Sequence, residues 1–367
     1  ADSVFYGVVQ TATRSLVEDN GADVLQRVAV MCTDGITRTV NVDKSLNYPA
    51  GWMVRIDVTP EGENVTAIEN RTISGTVSAD ATMLGDHKLA DDVQILDTTT
   101  EGVAGTVRPS RLSGTKLNML NVRYYTLNDN GEIDRLILND VTGDLWKYGV
   151  LDDIRNIAAN LPSTKTPATA GDSEGEGSDG TTQVLKDLRS VLVPTTSEIL
   201  WGVINGDILQ TVWNKVTSST GSLVSIGVKQ LAKVVGEPYG TILNYVGGGA
   251  TYVCYVNGQL TSYTTSIKYP VLAGGLAVRQ EVNGSVKAMI QLMPMKIDKV
   301  GAASVLSGST RYEVADNAQV YLWYKGQYYA TKLAEVNSDD YYLTGWYDNF
   351  GCAAGKRVRV IVAVKKD

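Results

Sequence analysis

The sequence predicts a mainly β protein: two related antiparallel β-barrel or sandwich modules, made by internal duplication, with a helical insertion. Three observations predict it. Short motifs recur at a nearly constant offset. The segments between turn residues are rich in Tyr, Thr, Val and Gly, with 19 Tyr against 2 Phe. Tyr suits a half-exposed sheet because it joins an apolar ring to a wet hydroxyl. Gly, Asn and Asp punctuation returns about every ten residues, as in barrels and sandwiches of short strands.

The repeat is the strongest of these. Val30-Met31-Cys32-Thr33-Asp34-Gly35 faces Val253-Cys254-Tyr255-Val256-Asn257-Gly258, an offset of 223 at the glycines. Gly51 and Gly274 keep that offset of 223, and Tyr48-Pro49 and Tyr269-Pro270 lie shortly before them. Val54-Arg55 faces Val278-Arg279 at 224, and the turns Glu61-Gly62 and Asn283-Gly284 follow. Leu89–Ile95 faces Val314–Val320 at 225, and Arg135–Leu138 faces Arg359–Val362 at 224. Turn residues common to all β proteins would not hold an offset this steady.

Taken in order, Phe5-Tyr6-Gly7-Val8-Val9 reads as the opening strand. Asp34-Gly35 and Asn257-Gly258 read as hairpin turns, because Asn, Asp and Gly tolerate positive φ. Thr37, Thr39 and Asn41 interleave with Val40 and Val42, the period of a half-buried strand. Ala90-Asp91-Asp92-Val93-Gln94 and Ala315-Asp316-Asn317-Ala318-Gln319 read as turns leading into hydrophobic strands, with Asp capping free backbone donors. Lys147–Leu151 and Leu200–Ile204 echo the opening strand. Asp152–Leu161 reads as a short helix on the spacing of Ile154, Ile157, Ala158 and Leu161, stopped by Pro162. Ser163–Thr182 reads as a solvated, acidic loop. Helical patterns follow at Gln183–Leu192 and within Ile208–Tyr245, and Gly247-Gly248-Gly249 reads as a hinge. The organisation is therefore a first β module over 1–145, an insertion with strand starts over 146–250, and a second β module over 251–367.

Composition narrows the function. Lys and Arg number 33 against 40 Asp and Glu, a net charge of −7. No basic run offers cations to displace phosphate counterions, so nucleic acid and anionic membranes are poor partners. No apolar run reaches the roughly 18–20 residues of a membrane helix. The chain opens at Ala1 without Met, as a mature or trimmed chain does. Three cysteines, Cys32, Cys254 and Cys352, stand far apart, with no CxxC and the single histidine His87. That pattern offers neither a zinc site nor a disulfide framework, and Cys32 and Cys254 read as buried thiols.

Candidate sites are few. Asp172–Asp179 carries alternating carboxylates but lacks the spacing of a calcium loop, and reads as solvated linker. Asn128-Asp129-Asn130-Gly131 reads as a hairpin turn. Gly247–Gly249 lacks the following Gly-Lys-Ser/Thr of a phosphate loop. His87 has no nominated partner for a catalytic triad. No catalytic residue, metal site or cofactor is expected. The second module is crowded with aromatics, however. Their ordinary role is core and cross-strand pairing. The alternative is a glycan platform using Trp323, Tyr328, Tyr342 and Trp346, since aromatic faces stack on sugar rings.

A family resemblance points the same way. Leu138–Asp144 with Lys147–Val150, and Gly355–Val362, resemble the non-catalytic regions of large surface proteins of Gram-positive gut bacteria that carry S-layer homology modules. The resemblance covers mainly the strand modules, and this chain contains no S-layer homology module itself. It implies a secreted, extracellular protein of the cell surface or cell wall without enzymatic residues, with wall polysaccharide or neighbouring surface proteins as partners. The expectation is a structural or interaction region, with a carbohydrate-binding module as the alternative.

Overall fold

A computed structural model describes residues 2–17, 23–156, 250–267, 269, 271 and 273–367. The chain divides into two compact units. The first comprises Ala1–Lys147, Arg279–Lys287 and Asp348–Arg357, and the second Tyr148–Val278, Ala288–Tyr347 and Val358–Asp367. Both are mainly β. The only helical turns among the described residues are short 3-10 turns at Pro109–Leu112 and Leu333–Glu335.

In the first unit, β1 (Ser3–Val17), β2 (Asp23–Cys32), β3 (Thr37–Val42), β4 (Met53–Thr59) and β5 (Gly62–Ala67) form a five-stranded sheet in the order β3-β2-β1-β4-β5. Alternation builds its core: Val28, Val30, Val40, Val54 and Ile56 turn to one side and pack with Val9 and Tyr48. The sheet curls. Its edge strands β3 and β5 approach each other, and the Tyr48 hydroxyl donates to the Val65 carbonyl at 3.2 Å.

Then come β6 (Gly75–Thr76), β7 (Met83–Leu84), β8 (His87–Thr98), β9 (Ala104–Thr106), β10 (Lys116–Leu117), β11 (Val122–Leu127) and β12 (Ile133–Asn139). The second sheet runs β11-β12-β8-β7, with β9 also on β8, while β6 pairs with β10. Leu89, Ile95, Ile133, Leu136 and Leu138 fill its core. Ile137 turns the other way and packs with Tyr6 and Met53 of the first sheet. The loop after β12 is held by Asp97, whose buried carboxylate accepts from the amides of Thr98, Val141 and Thr142 and from the Thr142 hydroxyl.

Mostly in the second unit, β13 (Lys147–Asn156), β14 (Ala250–Val256), β15 (Gln259–Thr265), β16 (Gly274–Gln280) and β17 (Val286–Gln291) form a sheet ordered β15-β14-β13-β16-β17. Next follow β18 (Met293–Ile297), β19 (Lys299–Val300), β20 (Ser304–Ser307), β21 (Thr310–Tyr324), β22 (Gln327–Thr331), β23 (Tyr341–Tyr347) and β24 (Val358–Lys365). They form a seven-stranded sheet ordered β18-β23-β24-β21-β20-β19, with β22 also on β21. Its core face carries Val320, Leu322, Leu343, Ile361 and Ala363.

Three expectations are corrected. The sheets are not wholly antiparallel: β8 pairs with β12 in parallel, and β21 pairs with β24 likewise. The helix expected over Asp152–Leu161 does not form in its described part. Asp153–Asn156 pair instead with Val253–Ala250 in β14, and a strand partner about a hundred residues away outweighs the local apolar spacing. The rest of the helical insertion, with Leu200–Ile204, Asp172–Asp179 and Gly247–Gly249, lies outside the described residues. Finally, the Ala-Asp-Asp/Asn-x-Gln segments do not start strands. They are bulges inside β8 and β21: Leu89 to Gln94 runs opposite Ile133 to Arg135, and Val314 to Gln319 opposite Val358 to Val360.

Candidate functional site

The β21–β22 hairpin turns through Lys325 and Gly326, with φ of 48° and 79°, a two-residue turn that matches strand twist. Its arms are rich in aromatics, and alternation sorts them. Val320 and Leu322 lie in the core, so Trp323 points to the opposite face, and Tyr328, paired with Trp323, shares that face. In β23, Tyr341 and Leu343 pack on the core, so Tyr342 also points away from it.

The register lines these side chains up. Tyr342 pairs with Val364, and Leu322 pairs with Ala363, so Val364 and Trp323 are the next neighbours along the parallel pair. Tyr342, Val364, Trp323 and Tyr328 therefore form one row across four strands. Tyr342 is 63% exposed and Trp323 is 41% exposed. Tyr328 is half-buried, with its ring 5.5 Å from that of Tyr255 and 6.1 Å from that of Tyr321. Burial pushes the Tyr328 hydroxyl above its ordinary pKa, and the nearby Asp152 carboxylate and Tyr255 add to the effect. The Lys366 ammonium lies 5.2 Å from the Tyr342 ring centroid and donates to the Ser338 carbonyl at 2.8 Å.

Trp346 is not in this row. By alternation along β23 it shares the face, but it lies under Gly274 and Gly275. A Cβ at either glycine would come within 2.5 or 2.7 Å of the indole side chain, so the covering strand can pass only because those residues lack side chains. Of the four residues expected in a platform, the structure aligns Trp323, Tyr328 and Tyr342 and covers Trp346. Other aromatics have the ordinary role: Tyr341 and Tyr347 pack against the core, and Tyr347 and Tyr312 rings lie 5.0 Å apart. Sequence reasoning missed Tyr255 and Asp152. The alternation of buried Tyr252 and Cys254 along β14 turns Tyr255 to the other face, whereas the apolar spacing from Ile154 onward puts Asp152 in a helix.

The remaining candidates have structural uses. Asn128 caps its own turn, its side-chain oxygen accepting from the amides of Asn130 and Glu132. His87 begins β8, paired with Leu84 beside the turn. Asp348 is buried and accepts from the amides of Lys356 and Arg357. Cys32 and Cys254 are buried free thiols, and the Cys352 thiol is half-buried and outside any disulfide. Among the described residues, no group of three or more His, Cys, Asp or Glu is placed to hold a metal ion, and no helix is long and apolar enough to cross a membrane. No protein family, curated protein or solved structure matches the chain.

Proposed function

We propose that this chain is a non-catalytic structural and interaction region of a bacterial cell-surface protein, wall-associated and built by duplication of one β module. The observation that carries this reading is a polar framework found at equivalent places in both units. Each unit has a parallel strand pair with the same bulge, four residues opposite one. In each, the Gln that ends the bulge bonds to the first sheet: Gln94 accepts from the Thr33 hydroxyl at 2.7 Å, and Gln319 accepts from the Asn257 amide at 2.9 Å. In each, an Arg from the parallel strand lies over the Tyr that opens the first sheet, Arg135 over Tyr6 and Arg359 over Tyr148. Polar groups engaged this way between sheets hold the sheets together rather than face a substrate.

The leading sheets share one strand order, and both opening strands have a bulge, at Val9/Thr11 and at Leu151/Asp153. Residues 18–22 separate β1 from β2, while 157–249 separate β13 from β14, so the insertion enters one copy at a hairpin. The resemblance of Leu138–Asp144 and Gly355–Val362 to surface proteins supports the location. The test is antibody labelling of intact and lysed cells of the source bacterium, with fractionation of the wall. Labelling of intact cells and recovery with the wall fraction are expected. Signal confined to the cytosol of lysed cells would refute the reading.

A further inference from the structure

We propose that the row of Tyr342, Trp323 and Tyr328 is a binding face for an extended neutral oligosaccharide. This deepens the surface-interaction reading and rests on it. The first argument is selective exposure. Tyr321 and Trp346 stand on the same face of the sheet and are buried or covered, whereas Tyr342 and Trp323 stay open to solvent. Large aromatic faces left to water in one row across a sheet offer a contact surface.

The second argument is shape. Adjacent strands are about 4.8 Å apart, so Tyr342 and Trp323, with the β24 strand between them, stand about 10 Å apart on a rigid sheet. A flat row of that length fits a chain of sugar rings laid across the strands, and it is too open to enclose one small molecule. Both side chains have only two rotatable angles and stand on paired strands, so little freedom is lost when a ligand stacks on them.

The third argument is chemistry and charge. A sugar ring presents C–H bonds to an aromatic face and hydroxyls around its rim. The phenol groups of Tyr342 and Tyr328 supply donors and acceptors for that rim. An anionic wall polymer fits poorly. The chain carries a net charge of −7, and the Lys366 ammonium is already bonded to Ser338 and directed at the Tyr342 ring. Neutral glycans complement this surface, and polyphosphates do not.

The experiment is a glycan array of neutral and anionic oligosaccharides probed with the purified full chain. Calorimetry and tryptophan fluorescence then follow on any glycan retained. Saturable binding to a neutral oligosaccharide is expected. Trp323→Ala and Tyr342→Ala should each weaken it about tenfold, while Tyr324→Ala, on the opposite face, should leave it unchanged. A circular dichroism melt establishes that the variants fold, and Trp323→Phe should restore most of the binding. The proposal is overturned by an array without saturable binding, by binding to anionic polymers alone, by capture of a protein partner that both alanine variants abolish while no glycan binds, or by glycan binding that Tyr324→Ala alone removes. Intact-cell labelling separates the two readings: a chain displayed on the surface that binds no glycan sinks only this inference, and a chain confined to the cytosol sinks the surface reading.

Discussion

Arg359 is fully buried and holds its guanidinium 4.7 Å from the centroid of the Tyr148 ring. The equivalent Arg135 lies 5.0 Å from the Tyr6 ring and keeps 27% of its side chain exposed. A cation over an aromatic face contributes about 0.5–1 kcal/mol when exposed and about 2 kcal/mol or more when desolvated. Double-mutant cycles with Arg→Met and Tyr→Leu are expected to give the larger coupling for the Arg359–Tyr148 pair, read from urea denaturation. Equal couplings would mean that burial does not set the strength of this repeated contact.

Gly7 and Gly149 occupy matching places in β1 and β13, where the neighbouring strand passes close. A Cβ on Gly7 would stand 2.1 Å from the Met31 carbonyl oxygen and 2.8 Å from the Cys32 Cα. On Gly149 it would stand 2.7 Å from the Tyr255 carbonyl oxygen. These are backbone atoms in paired strands and cannot move aside singly. Gly7→Ala should cost about 3 kcal/mol or more and Gly149→Ala about 1–3 kcal/mol, the range for forced overpacking. Thermal melts of the two variants check the order, and a neutral Gly7→Ala would contradict the geometry.

These glycines show what the sequence made legible. Tyr6-Gly7 lies in β1 and Tyr148-Gly149 in β13, and Val54-Arg55 lies in β4 and Val278-Arg279 in β16. Asp34-Gly35 and Asn257-Gly258 do lie in hairpins, although one loop is longer: Cys32 bonds to Ile36 across the first turn, whereas Val256 pairs with Gln259 across the second. Long-range pairing stayed hidden. Nothing local to Asp153–Asn156 announces that their partner is Ala250–Val253, so spacing that suits a helix gave a wrong reading. The parallel pairs were equally invisible, because period-two alternation looks the same in either strand direction. The aromatic crowd was legible as residue types. Which rings stay open depended on Gly274 and Gly275 lying over Trp346.

The three cysteines should differ in reactivity. Burial pushes the Cys254 thiol up to about 12, with nearby Asp152 adding to the effect, and burial also raises Cys32. The thiolate is the reacting species, so both should stay inert in the folded chain. Cys352 is half-buried and lies outside any disulfide. Ellman's reagent should find one reacting thiol in native protein, removed by Cys352→Ser, and all three in denaturant. Fast reaction at Cys254 would show that β14 opens readily.

Acid should weaken the first unit through Glu101. Burial raises its pKa, but the Arg279 guanidinium, bonded at 2.8 Å, outweighs this and leaves the carboxyl below its ordinary value of 4.5. A carboxylate with a lowered folded pKa stabilises the fold above its unfolded pKa, and that contribution fades as pH falls through the folded pKa. Arg279→Met should therefore cost about 1.5–3 kcal/mol at neutral pH, the worth of hydrogen bonds to charged groups. The gap between variant and parent should shrink by pH 3. Urea titrations at both pH values test this, and a gap independent of pH would rule out Glu101 as the source.

Residues 1–147 should not fold stably alone, because the first unit is completed by later parts of the chain. Ala354 is buried in the core cluster of the second sheet, and its amide donates to the Val141 carbonyl at 2.9 Å. The Phe350 ring stacks on Trp146 with centroids 4.4 Å apart. Arg279 bonds both Glu101 and Thr100. A chain ending at Lys147 keeps every strand of both sheets of this unit yet loses these contacts. It leaves Trp146 uncovered, a hole where Ala354 packs, and Glu101 half-buried without its cation. Each loss is of the order of 1–3 kcal/mol, and together they rival the 5–15 kcal/mol that separates a typical folded domain from its unfolded chain. The fragment is expected to melt broadly, well below the whole chain, with red-shifted tryptophan emission. A sharp transition at the parent's temperature would show that the strands of residues 1–147 hold the unit without the two later segments.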